Sequence, residues 1–274
     1  MNDWELLLID KASAEALADR FDLTWHPDAR HIREEALGLT PARLRGIEDA
    51  TNDLLIFEDD DNVLAPDYLQ NALQIEREWP VLGAWGGGTR GVFDCPPPAW
   101  IKDYLGHLAI RGSERIRWSN SPSDWEARPF GAGLCVRASV AHDFADCVGK
   151  DPLARLLDRR GEALSAQGDT MICFCSIDRG LGIGIFPQLQ LDHLIPKQRM
   201  TVGYIDRMMR EGAASQVILA RVSGSSNLPR FPRSPGYWLR LLCLLLLGQS
   251  YRARFEVSHQ VGIARGKKLL RQLR

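Results

Sequence analysis

The stretch Leu54–Asn62 reads LLIFEDDDN, four apolar residues running straight into Glu58, Asp59, Asp60 and Asp61. The apolar run reads as a buried strand, and at its end like charges are crowded where they repel one another. The segments around it decide the fold class. Trp4–Ile9, Asp22–Trp25, Leu54–Phe57, Val81–Trp85, Ala132–Arg137 and Gly182–Leu191 read as strands. Helices are expected at Ala14–Phe21, Thr40–Ala50, Pro66–Trp79, from Val140 onward, and at Thr170–Arg179, Val202–Glu211 and Ser215–Val222. Thr40-Pro41 has the form of an N-cap followed by a proline in the first helical position. Strands alternating with helices predict an α/β fold with a mostly parallel central sheet flanked by helices. Gly86–Arg128, with its GGG and PPP runs, reads as irregular.

At 274 residues there is room for a large core. We divide the chain into a catalytic-type domain at 1–222, a linker at 223–236 (SGSSNLPRFPRSPG) and a helical tail at 237–274. The net charge of −1 hides an asymmetry: from Arg230 onward ten Lys/Arg face one acid, Glu256, giving +9 and leaving −10 for the rest. The tail is built to meet something anionic and the body is not; nucleic acid is not among the expected partners. The six cysteines make no C-x-x-C pair, sit in apolar contexts and read as reduced, buried thiols of a cytoplasmic protein. The N-terminus, MNDWE, has no basic signal-peptide region. Trp238–Leu247 (WLRLLCLLLL) is too short to span a bilayer and contains Arg240.

In a parallel α/β sheet, ligands bind beyond the carboxyl ends of the strands, which is where Asp59–Asp61 fall. Carboxylates fixed there can hold Mg²⁺ or Mn²⁺, cations that prefer oxygen and share their sites with phosphates. The other reading of the same residues is a solvated acidic turn leading into a helix. The spacing leaves both open.

Five segments in order add to this: WELLLIDKAS, LGLTPARLRGIEDATNDLLIFEDDDNVLAPDYL, PFGAGLCVR, LSAQGDT and LDHLIPKQRMTVGYIDRM. Together they resemble family 2 glycosyltransferases of the GT-A fold, over about residues 4 to 222. The resemblance implies transfer of a sugar from a nucleotide-diphosphate sugar to an acceptor hydroxyl, aided by Mn²⁺ or Mg²⁺. It implies Asp61 as metal ligand, Asp59 on the ribose or the metal's waters, and Asp60 as a lesser donor contact. It assigns Asp169 as general base, His193 as a further metal ligand, and Asp10 and Arg43 to the nucleotide and its phosphates. Gly131 and Gly133 would let the backbone approach the acceptor, and Trp118 would line the acceptor side with Trp85, Trp100 and Trp125 as further candidates.

Each residue also has a structural reading. Asp169 would cap a helix, Asp10 would hold its own turn, His193 would bond a backbone carbonyl, and each tryptophan would be core. Leu44 and Gly168 depart from the family pattern. The resemblance starts at the family's second strand, so the chain as it stands is expected to be less stable and to bind donor weakly. A chain extended upstream by that strand is expected to bind better. The apolar, arginine-rich tail reads as a helix lying in an anionic membrane interface, which suits a lipid-linked saccharide acceptor in bacterial surface polysaccharide synthesis. A degenerate domain kept for binding is the alternative. A nucleotidyltransferase would show a Gly-rich phosphate loop near its start, and the sequence there has none.

Overall fold

In a computed structural model, residues 4–157, 159, 164, 167–225, 229, 232 and 234–272 are described. Strands β1 (Leu6–Lys11) and β2 (Ala29–Glu34) pair in parallel as a two-stranded sheet. The main sheet comprises β3 (Leu54–Phe57), β4 (Asn62–Leu64), β5 (Leu82–Phe93), β6 (Arg117–Ser119), β7 (Leu134–Arg137) and β8 (Gly182–Ile195). Its order is β3-β7-β5-β8-β4, with β6 also on β8.

The expected α/β fold is present, but the main sheet is mixed. β3, β5 and β8 run one way, and β7, β4 and β6 run against them. Parallel neighbours need a crossover, usually a helix. The chain between β5 and β7 has no α-helix, only 3-10 segments and β6, and β7 returns antiparallel between β3 and β5. No strand forms at Asp22–Trp25; the second strand lies at Ala29–Glu34, where only Ile32 is buried.

Helix α1 (Leu39–Asp49) begins at Gly38, and Thr40 lies buried inside it instead of capping it. α2 (Tyr68–Glu78), α3 (Ala138–Lys150) and α4 (Gly168–Asp178) follow. α3 and α4 bury Phe144 and Ile172 with Leu55, Leu134 and Ile183 of the sheet. α2 buries Tyr68 and Ile75 in a second cluster with Trp85, Phe186 and Leu189. α5 (Val202–Val222) is one continuous helix where two were expected. A single interior glycine such as Gly212 costs only about 1 kcal/mol, and packing along the tail outweighs it. The tail forms two helices, α6 (Pro235–Leu246) and α7 (Ser250–Gln272). Much of the expected linker, namely 226–228, 230, 231 and 233, lies outside the described residues. Cys135, Cys173 and Cys175 are buried as expected, whereas Cys95 and Cys243 are exposed.

The two sheets are tied at one end by Glu5. Its Oε1 accepts from Thr51 N (2.6 Å), Thr51 Oγ1 (2.8 Å) and Asn52 Nδ2 (3.0 Å), just ahead of β3, and its Oε2 pairs with Arg30 of β2 (2.6 Å). Burial raises the Glu5 pKa, but these donors outweigh it and hold it at about 2. A carboxylate depressed in the folded state stabilises the fold above its unfolded pKa, and that contribution is lost as pH falls through the folded value. Glu5→Ala is expected to cost about 1–2 kcal/mol at neutral pH. It should also flatten the loss of stability between pH 4.5 and 2, as read by urea unfolding across that window.

Candidate functional site

Pairing of β4 with β8 sets Asn62 opposite His193, and Leu194 N donates to Asp61 O at 2.8 Å. Asp61 and His193 thereby meet although they are far apart in the chain, with Asp61 Oδ2 lying 3.5 Å from His193 Nε2. His193 is buried, and its Nδ1 donates to the Leu108 carbonyl at 3.0 Å. A carbonyl can only accept, so Nδ1 carries the hydrogen and Nε2 keeps its lone pair facing Asp61. Arg199 enters the same point: its Nη1 is 2.6 Å from Asp61 Oδ2 and 3.0 Å from His193 Nε2. Asn62 Nδ2 donates to Asp61 Oδ1 at 2.7 Å. Burial pushes Asp61 up, yet the charge of Arg199 and its hydrogen bond hold it at about 2. It is an ionised carboxylate.

A second group forms around the loop that leads into β7. A Cβ built on Gly131 would meet Arg43 Nη2 at 2.6 Å and lie in ordinary contact with Asp169 Oδ2 at 3.7 Å, so a side chain there would have to push the Arg43 guanidinium aside. Arg43 is buried on α1, with its guanidinium 5.9 Å from the centre of the Phe57 ring. Asp169 sits in the first turn of α4 behind the N-cap Gln167, and its Oδ1 accepts from Thr170 N at 2.7 Å. It is therefore not the cap, and helix dipole and position both favour its charge. Arg111, over the Phe130 ring at 4.3 Å, adds a positive charge within reach of Asp169. Burial holds the Arg111 pKa below the usual arginine value.

Gly133 joins the two groups. Its N–H donates to Glu58 Oε2 at 2.8 Å, and its carbonyl accepts from the buried Tyr68 hydroxyl at 2.5 Å. Its φ of +66° is a left-handed conformation, and a Cβ there would lie 2.4 Å from Tyr68 Oη. Burial raises Glu58 to about 8, with the charges of Asp59 and Asp61 adding to it. The residue as a whole is exposed, so the burial is local to the carboxyl, and the hydrogen bond to Gly133 defines what Glu58 does here.

The other expected site residues fare differently. Asp10 accepts from Ser13 N (2.9 Å), Leu17 N (3.1 Å) and Arg33 Nη1 (2.9 Å), so its oxygens anchor its own turn. These hydrogen bonds, led by Ser13, lower its pKa to about 2. Asp59 and Asp60 make no side-chain hydrogen bond or ion pair among the described residues. Asp59 does not join Asp61 and His193 as a third ligand: among the described residues no three His, Cys, Asp or Glu side chains converge as a metal would take them. Asn62 N donates to Asp59 O (3.2 Å), closing a tight turn over the acidic run.

Trp118 lies elsewhere. It is half exposed on β6 opposite Gly184, and along β5 that level is six residues from that of His193, about 20 Å. Trp85 is core, and Trp100 packs on Tyr251 and Phe255 of the tail. The sequence reading missed Glu58 as a loop anchor, and it missed Arg199. Arg199 stands in the LDHLIPKQRM segment already marked by resemblance, six residues beyond His193, and that proximity was its signal.

On donor chemistry, Mn²⁺ or Mg²⁺ fits the Asp61–His193 pair. An imidazole tied through Nδ1 to a backbone carbonyl is oriented as metal-bound histidines are, and the carboxylate beside it is ionised. Asn62 Oδ1 is a further buried acceptor with no partner among the described residues. Two protein ligands leave positions for substrate oxygens, as such cations commonly have.

Residues 1–120 match the family model described as Glycosyl transferase family 2. The match spans Asp10, Arg43 and the acidic run and stops before Gly131, Asp169 and His193. No curated protein matches the chain. Among solved structures, S. aureus TarS 1–349 is 13% identical, with 98% of this chain and 82% of that one covered and a TM-score of 0.47. GalNAc-T7, crystallised with UDP, GalNAc and Mn²⁺, is 19% identical, with 69% and 37% covered and a TM-score of 0.42. Likeness at these values adds nothing about chemistry.

Gly133→Ala is expected to destabilise the protein by about 1–3 kcal/mol, from the left-handed φ and the clash with Tyr68. Chemical unfolding measures this, and Gly149→Ala, in open space on α3, is the control expected to be neutral or stabilising.

Proposed function

We infer that this chain, whose residues 1–120 match the model of glycosyl transferase family 2, moves a sugar from a nucleotide-diphosphate sugar onto an acceptor hydroxyl. One observation carries the reading. The loop around Gly131 and Gly133 touches Arg43, Asp169 and Glu58, and Glu58 stands three residues from the Asp61–His193 pair. A base, a buried cation and a metal-type pair are thus drawn around one loop.

The reaction needs negative charge stabilised on the departing diphosphate and a proton removed from the acceptor hydroxyl. Asp61 and His193 would hold Mn²⁺ or Mg²⁺, which supplies a Lewis acid for the diphosphate when bound. Arg43 binds the donor phosphates, Asp59 and Asp60 contact the donor from the solvent side, and Asp10 shapes the loop against the nucleotide. Asp169 takes the acceptor proton, and a single displacement of this kind inverts the anomeric carbon. Gly131 and Gly133 keep the acceptor side open.

The acceptor is a saccharide, soluble or lipid-linked, in surface polysaccharide or glycolipid synthesis. α6 supports the lipid-linked form: Trp238, Leu239, Leu242, Leu245 and Leu246 are exposed along it. No helix among the described residues is long and apolar enough to cross a membrane, so α6 would lie in the interface on the inner face. The alternative, a transferase-like domain kept for binding, is favoured by Arg199 filling the point between Asp61 and His193.

With Mn²⁺ and a panel of uridine and guanosine diphosphate sugars, Asp169→Asn is expected to lower kcat by about 100-fold or more while donor binding is kept. Wild-type turnover in that variant would remove Asp169 as base. Donor binding without turnover by the parent chain on any acceptor tried would favour the binding reading. Separately, the chain is expected to co-sediment with phosphatidylglycerol vesicles, and Leu242→Glu with Leu246→Glu should release it. Equal partition of parent and variant would end the membrane assignment.

A further inference from the structure

We propose that Arg199 is the resting counter-ion of the Asp61–His193 pair, and that it leaves this place for the donor diphosphate when a divalent cation binds. The proposal rests on the reading of that pair as the cation site. One guanidinium nitrogen, Nη1, touches both Asp61 Oδ2 at 2.6 Å and His193 Nε2 at 3.0 Å. These are the two atoms whose lone pairs a cation would need. A guanidinium and a metal ion cannot share them, so each must exclude the other.

The charges explain why something occupies the point at rest. The Asp61 side chain is three-quarters buried, and a carboxylate left without a counter-charge there is costly. Arg199 supplies the missing positive charge from a short 3-10 turn, Lys197–Met200, between β8 and α5. That turn is fixed at both ends: Ile195 and Met200 are buried in the same cluster, and Thr201 caps α5 through Tyr204 N. The backbone can therefore stay while the side chain swings.

A displaced Arg199 has five donors in a planar fork suited to phosphate oxygens. It would stand beside the cation that the donor diphosphate shares. Cation loading then frees the group that grips the donor, and the two binding events are coupled. A metal-poor site keeps its charge satisfied and binds donor weakly.

The test titrates Mn²⁺ into the full chain without nucleotide, read by the loss of the free-ion electron paramagnetic resonance signal. Arg199→Gln is expected to bind Mn²⁺ about tenfold tighter than the parent chain, as a charge-assisted competitor is removed. With Mn²⁺ saturating, the same variant is expected to bind uridine or guanosine diphosphate about tenfold more weakly by calorimetry. Arg199→Lys keeps a charge and should restore competition for Mn²⁺. A general folding defect would show in the thermal melts of both variants, whereas competition separates glutamine from lysine. Unchanged or weaker Mn²⁺ binding in Arg199→Gln overturns the proposal. Tighter Mn²⁺ with unchanged diphosphate binding overturns its second half. Asp61→Asn is the check on the underlying reading: Mn²⁺ binding that survives this change would refute the cation site itself, whatever Arg199 does.

Discussion

The antiparallel ladder between Asn62–Leu64 and Leu191–His193 is three residue pairs long, and the site's geometry hangs on it. β8 is held firmly on its other side by a long parallel pairing with β5, so β4 is the part that must find its register. Side chains alternate faces along a strand, and a slip of one residue would turn His193 away from Asp61. The meeting of a carboxylate and an imidazole so distant in sequence is thus a property of backbone hydrogen bonds. Arg199 comes with it, because the turn that carries it begins where β8 ends.

The loop before β7 plays the corresponding part for the rest of the site. Through Gly133 it is pinned to Glu58 at the end of β3 and to Tyr68 at the start of α2. Through Gly131 it abuts α1 and α4. A main chain with no side chains of its own at these two positions lets four elements approach one another. That closeness keeps Arg43 and Asp169 on the same side as the acidic run.

Much of this was legible in the sequence. LLIF runs from Leu54 to Phe57 as a strand, as its composition dictated, and Asp61, His193, Arg43, Gly131 and Asp169 fall into two adjoining groups. The misses have local causes. β4 begins at Asn62, inside a run that reads as an acidic turn, and it is strand only because β8 pairs with it. Thr40 reads as a cap, yet the cap position falls two residues earlier, at Gly38 with φ 132°. Trp118 falls in an irregular segment whose path no periodicity gives, and the sheet carries it to the level of Gly184 on β8.

The docking of α7 on α5 bears on how the tail would meet an anionic surface. Arg254 pairs with Asp206 at 3.0 Å, Arg265 with Glu211 at 2.5 Å and Arg240 with Glu256 at 2.6 Å, and Arg252 pairs with Asp103. Four of the ten positive charges from Arg230 onward are therefore neutralised within the protein itself. Fewer phosphates can be matched than the sequence charge implies, so attachment would be carried mainly by the leucines and the tryptophan of α6. Raising the ionic strength would then weaken it only shallowly, which is the behaviour of an apolar wedge with a light electrostatic guide.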